Sequence, residues 1–472
     1  MENILQFFLM FPILGFLISV LMPEKKEKLI SGIAFATVFT QFLGIVIFCI
    51  IWILNDSPDL NLKEITIFST SHYEFFIDFY FDRITAVYLF VGALLTSMIT
   101  TYSRYYLHRE KGYKRFFTTV LFFFFGYNIA ILSGNFETLF IGWEIIGISS
   151  FLLIAFYRER YLPVKNAFKV FSIYRIGDVG LLLTMWASHH LFHENITFMK
   201  LNNYELVNEH LQNHSLIGVF IALCLACAAA AKSAQIPFSS WLPRAMEGPT
   251  PSSAIFYGSL SVHLGVFLML RTFPFWEHQT SMRFAIGLMG LTTSIMSSLM
   301  ARVQSSIKSQ VAYSSISQIG IIFIEIALGL EVLALFHFAG NAFLRTYQLL
   351  VSPSVVSYLI REQFYTFQPK EVRRNVFFPR KIQNTLYVLA LKEFKLEAFL
   401  NIVLWRPLKI IGKSLDFLNV KRVYFFFIPL FALGTIAYQF KEKVPSELTS
   451  LLPEIFAGIG LVFVFKSFSE RK

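Results

Sequence analysis

The 472-residue chain is 55% hydrophobic and only 15% charged. Soluble domains carry about 25% charged residues, so the composition excludes a soluble protein and indicates a polytopic membrane protein. The net charge of +11 is better explained by basic cytoplasmic loops than by nucleic-acid binding, and three cysteines give no disulfide or metal framework.

Apolar runs near the ~20 residues that cross the hydrocarbon core recur along the chain. The first run, 4–22, has no basic leader and no small-residue cleavage site, so we interpret it as a span and not as a cleavable signal. The sequence thus predicts an all-α polytopic membrane protein of about 13 transmembrane helices. The predicted spans are 4–22, 29–54, 83–103, 116–133, 136–157, 166–188, 215–246 (broken), 251–271, 282–301, 309–329, 331–352, 422–440 and 450–467.

The loops between these spans alternate in charge. Loops of one side carry Lys and Arg, whereas loops of the other side carry Asp56, Asp59, Glu64, Glu194 and Glu205. Cytoplasmic loops are enriched in Lys and Arg, which predicts an N-terminus outside and a C-terminus in the cytoplasm. The basic loop residues are Lys25, Lys26, Lys28, Arg104, Arg109, Lys111, Lys114, Arg115, Arg158, Arg160, Lys165, Arg302 and Lys308.

Three functional candidates, all of them charged, lie inside the fifth and sixth predicted spans. Glu144, in GWEIIGISSFLLIAF, can bind and release a proton if burial raises its pKa, or it can be a structural carboxylate neutralised by a base. Arg175 and Asp178, in YRIGDVGLLL, are three residues apart and share a helix face, so they can pair. A purely structural ion pair is the alternative.

The stretch AKSAQIPFSSWLPRAMEGPTPSSAIFYGSLSVHLGVFLMLR, 231–271, contains the strongest functional candidate. Lys232 ends a long apolar run, and Pro237 removes a backbone donor five residues later, which predicts a helix break. A lysine at such a break within a membrane is costly and therefore a functional candidate, although snorkelling to an interface is an alternative. His263 follows Tyr257 in the next span and can relay protons or be a satisfied core residue.

The tenth and eleventh spans carry a second set of polar residues. Lys308 begins the tenth span, and Glu325 lies deeper in it. His337, Asn341 and Arg345 recur at i, i+4 and i+8, which predicts one polar stripe on a helix. Because Asn341 cannot titrate and Arg345 stays charged, an ordinary proton path along this stripe is in doubt.

Residues 353–421 are polar and basic and then become amphipathic. Apolar residues recur at helical spacing over 392–411, which predicts a helix on the inner membrane surface or against a partner subunit. The predicted organisation is N-terminal transmembrane helices at 1–115, a first unit with the broken helix at 116–272 and a shortened second unit at 273–352. A basic and amphipathic cytoplasmic segment at 353–421 and a C-terminal hairpin at 422–472 follow.

These motifs resemble the antiporter-like membrane subunits of respiratory complex I and of the Mrp cation/proton antiporters, a superfamily that includes the membrane subunit of the DAB inorganic-carbon transporters. The resemblance covers 1–350 strongly and 385–472 weakly. It implies an antiporter-like fold with one discontinuous helix and a shortened second inverted repeat.

The resemblance also implies roles for these residues. The Trp143-Glu144 pair matches the family's essential glutamate, Lys232 its central proton carrier and Lys308 its next lysine. Arg175 and Asp178 would tune the glutamate and lysine. The implied proton path is Glu144, Asp178, Lys232, His263, Lys308 and His337, supported by Arg175, Pro237, Tyr257 and Arg345.

The position of His263 after Tyr257, in SVHLG, resembles the pattern of the DAB membrane subunit more closely than that of complex I. The favoured hypothesis is a cation-conducting subunit, for protons or Na⁺, of a bacterial inner-membrane inorganic-carbon uptake system with a large soluble zinc-containing partner on the cytoplasmic side. The alternatives are a proton-pumping subunit of a complex I or Mrp-type assembly and a non-transporting scaffold. The chain shows no nucleotide, metal, haem or iron–sulfur motif, so we expect no cofactor here and any enzymatic chemistry in another subunit.

Overall fold

The computed structural model describes residues 2–69, 74–213, 215–366 and 379–414. Most of these residues are helical. The helices are α1 Glu2–Leu21, α2 Glu27–Leu54, α3 Arg83–Tyr106, α4 Tyr113–Leu132, α5 Phe136–Ile154, α6 Tyr161–Phe192, α7 Phe198–Leu201, α8 Tyr204–Asn213, α9 Ser215–Lys232, α10 Trp241–Ala245, α11 Thr250–Ser252, α12 Leu264–Arg271, α13 Phe273–Trp276, α14 Thr280–Val303, α15 Ile307–Ala327, α16 Glu331–Thr366, α17 Arg380–Leu391, α18 Leu396–Leu400 and α19 Arg406–Ser414.

Ten helical segments of the described residues are long and apolar enough to cross a membrane. They are α1 to α6, α9, the stretch from Thr250 to Arg271, α14 and α15. The prediction of a polytopic all-α membrane protein is therefore confirmed, while the count of about 13 is not. The predicted span 331–352 lies within the longer and more polar α16, and the predicted spans 422–440 and 450–467 fall outside the described residues.

An antiparallel β-hairpin, which the sequence analysis did not predict, connects α2 to α3. Its strands are β1 Leu60–Ser69 and β2 Glu74–Phe81, paired from Leu60 opposite Phe81 to Ser69 opposite Glu74. A bridge from Phe79 to Ser133 ties the hairpin to the connection between α4 and α5, and a bridge from Asn135 to Thr197 ties that connection to the one before α7. Because successive spans run in opposite directions, the hairpin marks one end of the bundle, which we call the hairpin face.

The opposite end carries the basic loops between α1 and α2, α3 and α4, α5 and α6, and α14 and α15, and we call it the basic face. Every residue from Thr250 to Arg271 is buried, so this span lies at the centre of the bundle. Helices α14 and α15 cross closely, since a Cβ on Gly290 would collide with the carbonyl oxygen of Gly320 and a Cβ on Gly320 with that of Gly290. Small residues permit such close crossings in membranes.

The segment after 352 differs from the prediction. Helix α16 continues to Thr366. The predicted amphipathic helix at 392–411 is interrupted, because Glu393, Phe394 and Lys395 have positive φ angles. The chain divides into a unit Met1–Phe394 and a second unit Lys395–Lys472, which is described to Ser414. Apolar side chains of the second unit, including Ile402 and Ile410, are exposed.

Candidate functional site

The break in the seventh span begins directly after Lys232. Pro237 has no N–H to donate to the carbonyl of Ser233, and the chain turns at Ala234, whose φ is +53°. The side-chain amide of Gln235 donates to the Ser233 carbonyl at 3.0 Å and replaces the lost backbone bond. The predicted discontinuity at Pro237 is therefore present, with Lys232 at its edge.

Other side chains satisfy backbone groups that the break frees. The indole N–H of Trp241 donates to the Ala231 carbonyl at 2.9 Å, and the Ile236 N–H donates to the Thr293 hydroxyl at 3.1 Å. Unsatisfied backbone groups are costly inside a membrane, so these bonds allow an irregular segment at this depth.

The next span is also irregular, which the sequence analysis did not predict. It forms a π-helical turn at Ser253–Ser259 and a 3-10 turn at Ser261–His263 between α11 and α12. The Ser233 hydroxyl, one residue after Lys232, donates to the Val262 carbonyl at 2.6 Å. The two irregular segments thus contact each other in the buried centre of the bundle.

Glu144, Arg175 and Asp178 form one charged cluster between α5 and α6. Arg175 Nη2 lies 2.7 Å from Glu144 Oε2 and 2.8 Å from Asp178 Oδ2. The indole N–H of Trp143 donates to Asp178 Oδ1 at 2.8 Å. Glu144 Oε1 is buried and has no hydrogen-bond partner among the described residues. One guanidinium therefore pairs with two carboxylates.

Lys232 completes the cluster from α9. Its side chain is buried, and Nζ donates to the Trp143 carbonyl at 3.3 Å. Nζ also lies 4.7 Å from the centroid of the Trp143 ring and 4.4 Å from that of Tyr174, within cation–π range. Within the described residues both carboxylates pair with Arg175 and neither pairs with Lys232.

The charges of this cluster determine how a proton can move. Because Arg175 stays protonated, the cluster is neutral when both carboxylates are ionised and Lys232 carries its proton. Release of that proton leaves a net negative charge in a buried site. The arrangement can therefore hold one exchangeable proton on Lys232, with Glu144 Oε1 as a second acceptor.

His263 is buried and bonded at both ring nitrogens. Asn341 uses its side-chain oxygen to accept from Arg345 Nε at 3.1 Å, so its amide nitrogen is the group that faces His263 Nε2 at 3.0 Å. Asn341 therefore donates to Nε2, and the Nδ1–H donates to the Ser259 carbonyl. Both bonds together hold His263 as a neutral imidazole.

Arg345 lies on the same stripe of α16 and bonds three acceptors. Besides Asn341, it donates to Gln348 Oε1 at 2.7 Å and to the Ser314 carbonyl at 3.3 Å. The predicted stripe of His337, Asn341 and Arg345 is therefore one face of α16, which packs against α15.

A third polar group joins α15 to α16 in the half of the bundle near the hairpin face. His337 Nδ1 lies 2.8 Å from Glu325 Oε1, and Nε2 lies 2.9 Å from Gln318 Oε1. The sequence analysis singled out Glu325 and His337 but missed their contact and missed Gln318. The spacing of Gln318 and Glu325, seven residues, places both on one face of α15 and is the signal that could have found this pair.

Lys308 lies apart from these groups. It is in the first turn of α15 at the basic face, where Nζ donates to the Gly248 carbonyl at 3.1 Å and faces that of Met246 at 3.4 Å. About 26 Å of helix separates it from Glu325.

Tyr257 is buried and donates to the Ser150 carbonyl at 3.2 Å. The structure thus gathers Glu144, Arg175, Asp178 and Lys232, but does not join Lys308 to them.

Comparison with known proteins identifies the family. Residues 133–368 match the family model described as "NADH:quinone oxidoreductase/Mrp antiporter, TM". Residues 68–117 match the model "NADH-Ubiquinone oxidoreductase (complex I), chain 5 N-terminus".

Individual proteins are similar over the same region. NADH-ubiquinone oxidoreductase chain 5 of Halichoerus grypus is 34% identical over 61% of this chain and 46% of its own length. NADH-quinone oxidoreductase subunit L of Campylobacter jejuni is 30% identical over 75% of this chain and 57% of its own length. The chain thus spans about half the length of the curated relatives it matches.

Two solved structures share the fold. A chain of the Mrp complex from Dietzia sp. aligns with a TM-score of 0.63 at 19% identity, covering 82% of this chain and 43% of that one. A chain of an archaeal membrane-bound sulfane sulfur reductase aligns with a TM-score of 0.61 at 17% identity, covering 74% and 56%. The antiporter-like fold is therefore confirmed, and the chain belongs to the family of NADH:quinone oxidoreductase and Mrp antiporter transmembrane subunits.

Proposed function

We propose that this chain is a proton-translocating subunit of a membrane complex of the complex I or Mrp type. The observation that carries the proposal is the buried Lys232 at a helix break, beside the Glu144–Arg175–Asp178 cluster. The names of the relatives support it, since they are subunits of quinone oxidoreductases.

The proposed cycle depends on whether the two carboxylates pair with Arg175 or with Lys232. While Arg175 holds Glu144 and Asp178, Lys232 has no carboxylate partner among the described residues, and in this arrangement it gives up its proton. A shift of either carboxylate from Arg175 towards Lys232 stabilises the ammonium and favours proton uptake. Alternation between these two arrangements loads and unloads Lys232.

From Lys232 the proposed path continues through the two irregular segments to His263 and then to His337. The Ser233–Val262 hydrogen bond places the break beside the turn that carries His263. Asn341 bonds His263 and has no titratable group, so transfer between His263 and His337 requires water or rotation of a ring. Lys308 is the proposed access point at the basic face.

Protons fit this path better than Na⁺, because its members are lysine, histidine and glutamate side chains whose protonation can change. We place the protein in a bacterial inner membrane, with the basic face in the cytoplasm. Partner subunits of the complex supply the energy, since the proposed cycle only moves a proton.

Substitution of Lys232 tests the proposal. In inverted membrane vesicles that contain the assembled complex, Lys232→Ala should reduce proton uptake, measured by quenching of a pH-sensitive acridine dye, to the background level. Glu144→Gln should have nearly the same effect, because it removes a negative charge that pairs with either Arg175 or Lys232 in the proposed cycle. Immunoblots of the membranes should show unchanged amounts of protein.

The matched controls are Lys200→Ala and Glu194→Gln, which change a surface ion pair at the hairpin face whose N–O distance is 2.6 Å. Both should pump normally, because exposed pairs contribute about 0–1 kcal/mol. Normal pumping by Lys232→Ala at equal protein content would refute the central claim, and a silent Glu144→Gln would make that carboxylate structural.

Inorganic-carbon uptake is a second candidate, favoured by the SVHLG sequence around His263. In this version the proton current through Lys232 drives CO₂ hydration by a large soluble zinc-containing partner. Expression with that partner should let a carbonic-anhydrase-deficient bacterium grow in air, and an uncoupler or Lys232→Ala should prevent growth. Absence of rescue with both proteins present would remove this candidate and leave the pumping proposal intact.

A further inference from the structure

A cleft on the basic face has no part in the proposed proton path. It has a volume of about 890 Å³ and lies between the start of α2 and the end of α3. Five of its lining side chains are lysine or arginine, namely Lys25, Lys26, Lys28, Arg104 and Arg109. All five are exposed at its rim. The cleft is therefore large enough for a small ligand and strongly positive.

The single acidic residue that lines the cleft, Glu27, is already engaged. Its carboxylate bonds His108 Nδ1 at 2.8 Å and accepts from the Arg109 backbone N–H at 3.3 Å. It thus organises the α3–α4 loop, and the lining keeps an excess of positive charge because cationic side chains outnumber this one carboxylate.

The start of α2 adds to the attraction for an anion. This 28-residue helix begins at Glu27, and its N-cap residue Lys26 makes no side-chain capping bond. The first backbone N–H groups of a helix lack intrahelical partners and favour negative charge. Together with the lysines, they favour a bound anion such as phosphate at this end of the cleft.

The surface that leads from the cleft into the membrane is apolar and exposed. Leu29 lines the cleft and is exposed, as is Met98, two turns deeper than Tyr105 on the same face of α3. Deeper still, Phe42 of α2 packs against the exposed Phe90 of α3, with ring centroids 5.7 Å apart. A ligand with a phosphate head and hydrocarbon chains would fit both parts of this surface.

We propose that this cleft binds the phosphate headgroup of an anionic phospholipid whose acyl chains lie along α2 and α3. A free phosphate has the same head chemistry but gains nothing from the apolar surface. A zwitterionic phospholipid has the chains but no net negative charge. The test therefore compares an anionic phospholipid with a zwitterionic phospholipid and with free phosphate.

The test measures lipid binding to the full-length protein, purified in its complex, by native mass spectrometry and by thermal unfolding. Phosphatidylglycerol should bind and raise the melting temperature, whereas phosphatidylcholine and inorganic phosphate should not. The triple variant Lys25→Gln/Lys28→Gln/Arg104→Gln should bind phosphatidylglycerol roughly a hundredfold more weakly, at about fivefold per cationic side chain near the membrane surface.

The matched control is Arg158→Gln/Arg160→Gln/Lys165→Gln, which removes the same charge from exposed positions on the same face outside the cleft. It should bind as the wild type does. Equal weakening in both variants, or unchanged binding in the cleft variant, would refute a specific site. Stabilisation by inorganic phosphate that competes with phosphatidylglycerol would make the cleft a free-anion site instead. If the triple variant does not assemble, Arg104→Gln alone should weaken binding by about fivefold.

Discussion

Trp143 connects the acid and the base of the candidate site within one residue. Its indole N–H bonds Asp178, while its carbonyl accepts from Lys232 and its ring lies near the ammonium. The next residue, Glu144, bonds Arg175. A shift of this short segment of α5 therefore changes the surroundings of all four charged groups at once, which is the coupling that the proposed cycle needs.

Arg345 is a second buried cationic side chain, and it contrasts with Lys232. It is buried, and its bonds to Asn341, Gln348 and the Ser314 carbonyl satisfy three acceptors. Arg345→Ala should lower stability, since each buried polar group left unpaired costs ~1–3 kcal/mol. Because Arg345 does not exchange its proton, pumping per assembled complex should fall less than in Lys232→Ala. Equal loss in the dye assay, at equal membrane content, would place Arg345 on the proton path.

Asp78 of β2 lies outside the membrane spans and should make stability depend on pH. It is buried, and neither carboxylate oxygen has a hydrogen-bond partner in the described part of the chain. Burial raises the pKa of this carboxyl to about 6. The folded state thus holds the proton more tightly than the unfolded chain, so stability is lost as pH rises from about 4 to about 6.

Asp78→Asn removes this titration. The variant should match the wild type near pH 4 and be more stable by roughly 1–3 kcal/mol at pH 7, seen as a higher melting temperature in detergent. Glu74→Gln on the same strand is the control of opposite sign, because the hydrogen bond from Lys63 lowers the pKa of Glu74. Its effect should be slight and destabilising at neutral pH. A pH-independent difference between Asp78→Asn and the wild type would show that Asp78 is ionised throughout.

Individual residues of the site were predictable because charge inside a span is costly. This argument selected Glu144, Arg175, Asp178 and Lys232, and the structure places them together. It could not identify the bond from Trp143 to Asp178, because tryptophan is ordinary in an apolar span and the contact joins two helices. The pairing of Glu325 with His337 likewise depends on how α15 packs against α16.

Two irregular helical segments contact each other, but the sequence indicates only one of them. Pro237 predicts the break after α9. The π-helical and 3-10 turns from Ser253 to His263 lie in an apolar stretch with no proline, which has the composition of an ordinary span. The Ser259 hydroxyl bonds the Ala254 carbonyl at 2.9 Å within the wider turn. The irregular turns from Ser253 to His263 are therefore accompanied by side-chain hydrogen bonds and by packing against the α9 break. The amino-acid composition of the span does not reveal either.

Gly265 tests whether the two segments must stay in close contact. A Cβ at this position would collide with the Ala229 carbonyl and the Ser233 hydroxyl at the end of α9. Gly265→Ala should therefore lower stability by ~1–3 kcal/mol through overpacking and reduce pumping by moving Lys232 away from Trp143. Thermal unfolding and the dye assay measure the two effects.

Gly340→Ala is the matched control, since a Cβ there meets nothing within 4 Å. Gly340 lies inside α16, where alanine is favoured over glycine by up to about 1 kcal/mol. The control should be neutral or slightly stabilising and should pump normally. Unchanged stability and pumping in Gly265→Ala would mean that the contact between the break and α12 is not required.

At the scale of the whole molecule, the order of spans was predictable because hydropathy and loop charge act over long stretches. The β-hairpin was not, because its strands lie in a connection where aromatic and charged residues gave no span signal. The hairpin matters for orientation, since it marks the end of the bundle opposite the basic loops. The proposed proton path lies between these two ends, so its direction in the cell depends on which end faces the cytoplasm.

Cysteine labelling can determine this orientation. The native Cys49, Cys224 and Cys227 are first replaced by alanine, and one cysteine is then placed at Lys63 on the hairpin face or at Glu159 on the basic face. Both side chains are exposed. Lysine and arginine are retained in cytoplasmic loops, so a membrane-impermeant maleimide should label Lys63→Cys in intact cells and Glu159→Cys only after permeabilisation. The reverse result would place the basic face outside, and Lys308 would then be an access point for protons from the exterior.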